Sequence, residues 1–174
     1  MANVIENYLK KNNHHYHKSS STFDGNIILL DNINLSTLIG FPKKVLGRVN
    51  VSRTSITSLK GGPEIVKSTF SCNGNDIKTL DFCPTICLTM YFRLANIIDI
   101  SFITNCMTES LSLSYYNNLA ILPSISKKVI VEDNIHLSNI IDKYMSIQMT
   151  KENIVKYQNE LIQNNFATNA RWTP

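Results

Sequence analysis

The sequence lacks the features that mark several common classes of protein. No stretch approaches about 18 consecutive apolar residues, so no segment is typical of a membrane-spanning helix. The N-terminus has no basic leader followed by an apolar run, and we expect no signal peptide. The four cysteines form no Cys-x-x-Cys pair, which favours a reduced, cytoplasmic protein. Cys72 and Cys83 occupy positions where a small apolar residue is expected, so we interpret both as buried and unreactive.

Motifs for catalysis and for cofactors are also missing. The glycine pair 61–62 has no Gly-x-Gly-x-x-Gly or P-loop context, so it predicts no phosphate site. The 13 acidic residues are spread thinly, without paired carboxylates. His14, His15 and His17 cluster on a polar connector with no nearby Cys or carboxylate, which favours a loop over a metal site. We therefore expect no enzyme activity, no catalytic residue, no metal and no cofactor.

A repeat with a period of 21 residues is the main positive feature of the chain. Prolines recur at this spacing, at Pro42, Pro63 and Pro84. Two sets of apolar residues recur with the same period, Leu35, Ile56 and Ile77, and Leu38, Leu59 and Leu80. A fixed period of this length is typical of a solenoid, in which successive coils stack on one another.

Each repeat also carries two apolar residues separated by one other residue, which predicts a short strand with both side chains on one face. One coil cannot bury this face alone, so we expect the strands of successive coils to stack as a parallel sheet. The inward pairs begin at Ile28, Val49, Phe70, Met90, Leu111 and Val129. A further inward residue precedes the pair in the later coils, at Val45, Val66, Ile86, Met107 and Ile125.

The repeats divide a single predicted domain, residues 1–174, into three parts. Residues 1–25 form an N-terminal amphipathic helix and a connector, and residues 26–141 contain about six repeats. Residues 142–174 form a C-terminal helical cap, whose clearest helix begins after Thr150 as its N-cap. A solenoid exposes its core at both ends, so helices at the two ends are expected to cover it.

Two segments of the repeats resemble a known family. They are residues 69–84 (TFSCNGNDIKTLDFCP) and residues 49–66 (VNVSRTSITSLKGGPEIV). Both are similar to the Phe-x-Cys-x-x-Asn-x-Leu-Thr-Ser-Leu-x-Gly-x-Pro pattern of leucine-rich-repeat-like proteins of tailed bacteriophages and bacteria. The opening VIENYLKKNN and the closing YQNELIQNNFATNARW resemble the two ends of that family. The fourth to sixth coils depart from the pattern, because they lack its Gly-x-Pro turn.

The resemblance implies a leucine-rich-repeat-like α/β solenoid. It would coil in a right-handed sense, with a parallel sheet of about six short strands, a loop-rich convex side and helical caps at both ends. The resemblance implies no catalytic residue. If it extends to origin, the chain is phage-encoded, acts in the cytoplasm of the host cell and inhibits a defence or metabolic protein of the bacterial host.

The strand-lined face supplies the candidate site. Side chains between the paired inward residues are expected to face solvent, namely Leu29, Asn50, Ser71, Tyr91, Ser112 and Ile130. Tyrosine and arginine are common at binding hot spots. We predict a partner-binding surface on this face formed by Arg48, Asn50, Arg53, Ser71, Asn73, Tyr91, Arg93 and Tyr115.

Several functions remain open for this surface. The favoured one is a non-enzymatic protein–protein interaction module. A nucleic-acid binder is an alternative, because the net charge is +4 and Arg48, Arg53 and Arg93 could follow phosphates while Tyr91 stacks on a base. A structural or assembly protein is a further alternative, and the oligomeric state stays open. We expect no membrane partner.

Overall fold

The computed structural model describes residues 2–12, 21–29, 34–92, 106–113, 129–132, 134–145, 147–148 and 150–170. Within these residues, the helices are α1 (Ala2–Asn12), α2 (Ile135–Met145) and α3 (Lys151–Gln163). The strands are β1 (Thr22–Phe23), β2 (Ile27–Ile28), β3 (Lys44–Val45), β4 (Val49–Asn50), β5 (Ile65–Ser71), β6 (Ile86–Phe92), β7 (Met107–Leu113) and β8 (Val129–Val131). None of these helices is long and apolar enough to cross a membrane.

The eight strands form one parallel sheet. β1 pairs with β3 and β2 with β4, so the first two coils each contribute an interrupted strand. Both β3 and β4 then pair with β5, and β6, β7 and β8 follow in order. Because the strands of successive coils pair in parallel, the chain must return to the same end of the sheet after each coil. The predicted solenoid is thus confirmed as a parallel-sheet β-solenoid of about four turns.

One column of inward side chains runs from β2 to β7. The register of the paired strands aligns Ile27, Val49, Phe70, Met90, Leu111 and Val129. The first five of these side chains have no exposed surface. Burial of each such side chain contributes about 1.5–3 kcal/mol. The predicted alignment of Val49, Phe70, Met90 and Leu111 in adjacent coils is confirmed.

The first coil differs from its prediction by one residue. Ile27, and not Ile28, pairs with Val49, and Leu29 is only 2% exposed. The prediction that Ile28 faces inward and Leu29 faces solvent is therefore wrong. Ile27 precedes Val49 by 22 residues, which is one more than the period of 21. The extra residue moves the inward position of the first coil from Ile28 to Ile27.

A β-bulge changes the phase again between the third and fourth coils. Val66 pairs with Cys87, whereas Phe70 pairs with Met90, so β5 has one residue more than β6 between these two pairs. A bulge of this kind inserts an extra residue into one strand and redirects the neighbouring side chains.

The bulge overturns the prediction that Ile86 and Met107 face inward. Cys87 and Thr108 occupy the inward positions instead, and Met107 is 68% exposed. The Cys87 thiol and the Thr108 hydroxyl each lie near two carbonyl oxygens. For each side chain, one carbonyl oxygen belongs to the same strand and lies 3.1 Å away. The other belongs to the preceding coil and lies 3.2 Å from the Cys87 Sγ and 3.3 Å from the Thr108 Oγ1. Small side chains with a donor therefore suit both positions. Ile125, also predicted to face inward, lies outside the described residues.

Two buried polar side chains join the second and third coils. The Asn75 Nδ2 group donates to the Val51 carbonyl oxygen at 2.7 Å and to the Cys72 Sγ at 3.2 Å. The Thr54 Oγ1 lies 2.9 Å from the same carbonyl oxygen and 3.2 Å from the Asn75 Oδ1. Asn75 is 4% and Thr54 is 7% exposed, so these contacts replace water inside the coil.

The turn before each proline has a left-handed backbone. Gly40, Gly61 and Phe82 occupy the same position in three successive coils and have φ values of 102°, 81° and 66°. A β-carbon added to Gly61 would lie 2.7 Å from the Ile39 Cα of the preceding coil. Glycine at this position permits both the turn and the close approach of two coils.

Helices pack against the first and last strands. Ile5 and Leu9 of α1 belong to the buried core. The Tyr8 hydroxyl donates to the Ile28 carbonyl oxygen and accepts from the Ile28 N–H at 3.2 Å. Among the described residues, β2 pairs only with β4, so no strand meets these two backbone groups on that side. Tyr8 therefore satisfies the free edge of β2.

The last strand has an equivalent contact. The Ser138 Oγ of α2 accepts from the Val131 N–H at 2.7 Å and lies 3.1 Å from the Val131 carbonyl oxygen. The helix α3 then packs on α2, where the Glu160 carboxylate accepts from the Lys143 Nζ at 2.6 Å and the Tyr144 hydroxyl at 2.9 Å. The predicted N-cap is confirmed, since the Thr150 side chain accepts from the Asn153 N–H.

Replacement of Asn75 tests the polar link between coils. We expect Asn75→Ala to lower the free energy of unfolding by about 2–3 kcal/mol, because the Val51 carbonyl oxygen loses a buried donor. Lys78→Ala changes an exposed neighbour and should stay within about 0.5 kcal/mol of wild type. Urea unfolding measures both values. An equal stability of the two variants would show that the buried amide does not link the coils.

Replacement of Gly61 tests the close approach of the coils at the turn. We expect Gly61→Ala to lower the free energy of unfolding by about 2–4 kcal/mol. The added methyl group meets the Ile39 backbone, and alanine is also strained in a left-handed conformation. The control is Gly74→Ala, whose φ is +69° but whose added β-carbon meets only the flexible Arg53 side chain, at 3.3 Å. It should lose about 1–2 kcal/mol. Thermal unfolding that ranks the control as the less stable variant would contradict the contact.

Candidate binding surface on the strand face

The outward column of the sheet places three of the eight predicted site residues in line, namely Asn50, Ser71 and Tyr91. The register aligns Asn50, Ser71, Tyr91, Ser112 and Ile130 on five successive strands. Of the predicted site residues, Arg93 and Tyr115 lie outside the described residues. The described part of the candidate surface therefore lies between β4 and β7.

The predicted site residues differ in exposure. Arg48 and Arg53 are exposed, and Tyr91 is 37% exposed. Asn50, Ser71 and Asn73 are half-buried. The prediction that Ser112 faces solvent is wrong, because its side chain is only 2% exposed and its hydroxyl donates to the Glu132 carboxylate.

Hydrogen bonds fix the backbone of the polar part of this surface. The Ser52 and Ser71 hydroxyl oxygens lie 3.0 Å apart on adjacent coils, and the Asn73 N–H donates to the Ser52 Oγ at 3.0 Å. The Arg53 N–H donates to the Asn73 carbonyl oxygen at 2.7 Å. Arg53 itself has a φ of 55°, a left-handed conformation held by these contacts. Its charged side chain is thus presented from a defined backbone position.

Exposed apolar side chains lie on the outward side of β6 and at the start of β7, beside the exposed Glu109. We call Ile86, Leu88, Tyr91 and Met107 the apolar outer patch. Met107 is 68% and Leu88 47% exposed, while Ile86 is half-buried and pairs with Met107 in the register of the two strands. Aligned exposed apolar residues on neighbouring strands form a surface that another molecule can cover.

Leu88 and Met107 were not among the predicted site residues. In β5, two inward residues are four positions apart. The prediction applied the same spacing to β7 and therefore placed Met107 inside. A signal for the correct spacing is present in the sequence, since Cys87 and Thr108 each precede an inward residue by three and are separated by 21. Only the bulge, which is a property of paired strands, explains why this shorter spacing applies.

Exposed apolar residues also occur on the helical side of the molecule. Val155 and Ile162 on α3 are each 52% exposed. Single exposed apolar residues are normal on a protein surface. These two residues provide a matched reference for the apolar outer patch, because they have similar chemistry and exposure on a different element.

The chemistry of the remaining candidates is limited by burial. Burial raises the pKa of Cys72 to about 12 and that of Cys87 to about 11, so both are thiols at neutral pH. The structure shows no group of three or more His, Cys, Asp and Glu side chains that could hold a metal ion among the residues it describes. The cluster of His14, His15 and His17 lies outside them.

The chain was compared with protein-family models, with curated proteins and with solved structures, and none of the three comparisons found a match. The resemblance of residues 49–84 to leucine-rich-repeat-like proteins therefore stays a prediction. The candidate surface rests on the strand register, the exposures and the hydrogen bonds of this chain.

Proposed function

We propose that this chain is a non-enzymatic protein-binding module that uses its strand-lined face. The observation that carries the proposal is the apolar outer patch, where Leu88 and Met107 are exposed on neighbouring strands of a solenoid. Tyr91 adds a large side chain with a polar end, a type enriched at binding hot spots. Arg48 and Arg53 lie within three residues of Asn50, which the register aligns with Tyr91 through Ser71, and they supply charge beside that column, as in an interface with an apolar centre and a polar rim.

The sheet supports this proposal because the surface is fixed before a partner arrives. Met90 and Leu111 are fully buried and anchor the two strands that carry the patch. A preformed surface loses little conformational entropy on binding. The partner we propose is a protein of the bacterial host, and the role is inhibition of a defence or metabolic protein in the host cytoplasm. This choice of partner rests on the resemblance to phage proteins.

We also propose that the solenoid is leucine-rich-repeat-like. Asn75 occupies the Asn position of the Phe-x-Cys-x-x-Asn pattern. Its buried side chain bonds the backbone of the preceding coil at Val51, which gives that position a structural reason to be asparagine. Thr54 has the same position one coil earlier, and its hydroxyl lies 2.9 Å from the same Val51 carbonyl oxygen.

The helices at the two ends are proposed as caps. Tyr8 and Ser138 each bond both backbone groups of one edge residue, Ile28 and Val131 respectively. Unpaired backbone groups on an edge strand would otherwise template pairing with another chain. The contacts thus support a role for α1 and α2 in preventing strands of other chains from pairing with the ends of the sheet.

Removal of the Ser138 hydroxyl tests the C-terminal cap. We expect Ser138→Ala to lower the free energy of unfolding by about 1–3 kcal/mol, since the buried Val131 N–H loses its acceptor, while the Val131 carbonyl oxygen still accepts from the Asn134 N–H. The variant should also self-associate at concentrations where the wild type does not. Asn139→Ala, at an exposed neighbouring position, is the control. Unfolding and sedimentation measure the two effects, and a Ser138 variant that behaves like the control would remove the support for the cap.

The binding surface can be tested with matched variants. Tagged wild type is used to capture proteins from a bacterial lysate, and a captured protein is then purified and titrated. We expect Leu88→Thr/Tyr91→Ala/Met107→Thr to weaken its binding at least tenfold, because hot-spot truncations each cost about 1–2 kcal/mol or more. Val155→Gln/Ile162→Gln removes equally exposed apolar residues from α3 and should bind like wild type.

Two results would contradict the proposed surface. One is a partner that binds both sets of variants equally, because the strand face would then be dispensable. The other is binding to DNA or RNA that falls steeply with salt and is lost in Arg48→Ala/Arg53→Ala, which favours the nucleic-acid alternative. Circular dichroism and unfolding of every variant distinguish lost contacts from lost structure.

A further inference from the structure

Two of the cysteines lie close together on adjacent coils. The Cys83 Sγ is 3.3 Å from the Cys106 Sγ. Cys83 lies in the turn before β6, and Cys106 lies immediately before β7. All four cysteines of the chain are thiols. A disulfide has an S–S distance of about 2.05 Å, so the two sulfurs need to approach by only about 1.3 Å.

Residues 84–105 separate the two thiols along the sequence, and they include β6 with Tyr91 of the apolar outer patch. A covalent bond between Cys83 and Cys106 would close this segment into a loop and join the turn before β6 to the start of β7. The bond would reduce the conformational freedom of the unfolded chain and so stabilise the folded state.

We propose that Cys83 and Cys106 form a reversible disulfide, with Cys106 as the attacking thiol and Cys83 as the resolving thiol. The oxidant is a small disulfide such as oxidised glutathione. The Cys106 thiolate attacks one sulfur of the oxidant, forms a mixed disulfide and releases one glutathione thiolate. Cys83 then loses its proton to solvent, attacks the Cys106 sulfur and releases the second glutathione. Two protein thiols are oxidised, and one disulfide is reduced to two thiols.

The order of the two cysteines follows from exposure and from hydrogen bonding. Cys106 is 9% exposed and Cys83 only 2%, so an oxidant reaches Cys106 first. The Cys83 and Cys106 thiols share a hydrogen bond, which lowers the pKa of Cys106 and favours its thiolate. The same hydrogen bond, together with burial, raises the pKa of Cys83. Cys83 therefore keeps its proton until the mixed disulfide has formed.

The other two cysteines provide internal references. The Cys72 Sγ accepts from the Asn75 side chain, and the Cys87 thiol lies near two backbone carbonyl oxygens. Burial raises the pKa of both thiols. Among the described contacts, the hydrogen bonds of these two thiols go to an amide group and to carbonyl oxygens and not to another sulfur, so we expect both to stay reduced.

The experiment treats the folded full-length protein with oxidised glutathione, blocks remaining thiols with an alkylating reagent and measures intact mass and peptides. For the wild type we expect loss of two hydrogens, no retained glutathione and one peptide that links Cys83 to Cys106. Cys83→Ser should stop at a glutathione adduct on Cys106. Cys106→Ser should show neither adduct nor cross-link. Cys87→Ser should form the cross-link like wild type.

The oxidised wild type should also unfold at a temperature higher by roughly 5–10 °C, and a reductant should reverse the shift. Four thiols retained by the folded wild type would overturn the proposal. So would a cross-link that forms only in urea, or one that involves Cys72 or Cys87. A glutathione adduct on Cys83 in the Cys106→Ser variant would overturn the assigned order of attack.

Discussion

The stacking of one inward side chain per coil is the interaction on which this molecule depends. Val49, Phe70 and Met90 each pack between the equivalent residues of the coils before and after them. A single coil has no interior of its own, so each coil becomes stable only when both sides are covered. The stack also determines the outward face. When the inward side chains of a strand are buried, the side chains between them on the same strand must point outward.

The same requirement explains what happens at the ends and at the bulge. Within the described part of the chain, β2 and β8 each pair with only one strand, and a helix supplies a hydroxyl to the backbone of each, from Tyr8 and from Ser138. At the bulge between β5 and β6 the backbone loses its regular pairing, and the Cys87 thiol lies near the Ser68 carbonyl oxygen there. Polar side chains thus occur inside this fold where the parallel ladder is incomplete.

The repeat could be predicted from the sequence where the spacing is constant, and it could not where the spacing changes. Val49, Phe70, Met90 and Leu111 lie in line as predicted, since the apolar pair that begins at each of them recurs in every coil. Ile27 and Met107 were assigned to the wrong face because one added residue or one bulge reverses every side chain beyond it. For the candidate site, the exposure of Arg48, Arg53 and Tyr91 followed from the pattern. The exposure of Leu88 and Met107 depended on the bulge.

Nuclear Overhauser effects between backbone protons test the stacked arrangement most directly. Parallel strands about 4.8 Å apart bring protons of paired residues into range. The stack predicts contacts that connect Val49 to Phe70, Phe70 to Met90 and Met90 to Leu111 in succession. Contacts that join these residues in a different order, or that show antiparallel pairing of consecutive strands, would contradict it and would remove the surface on which binding is proposed.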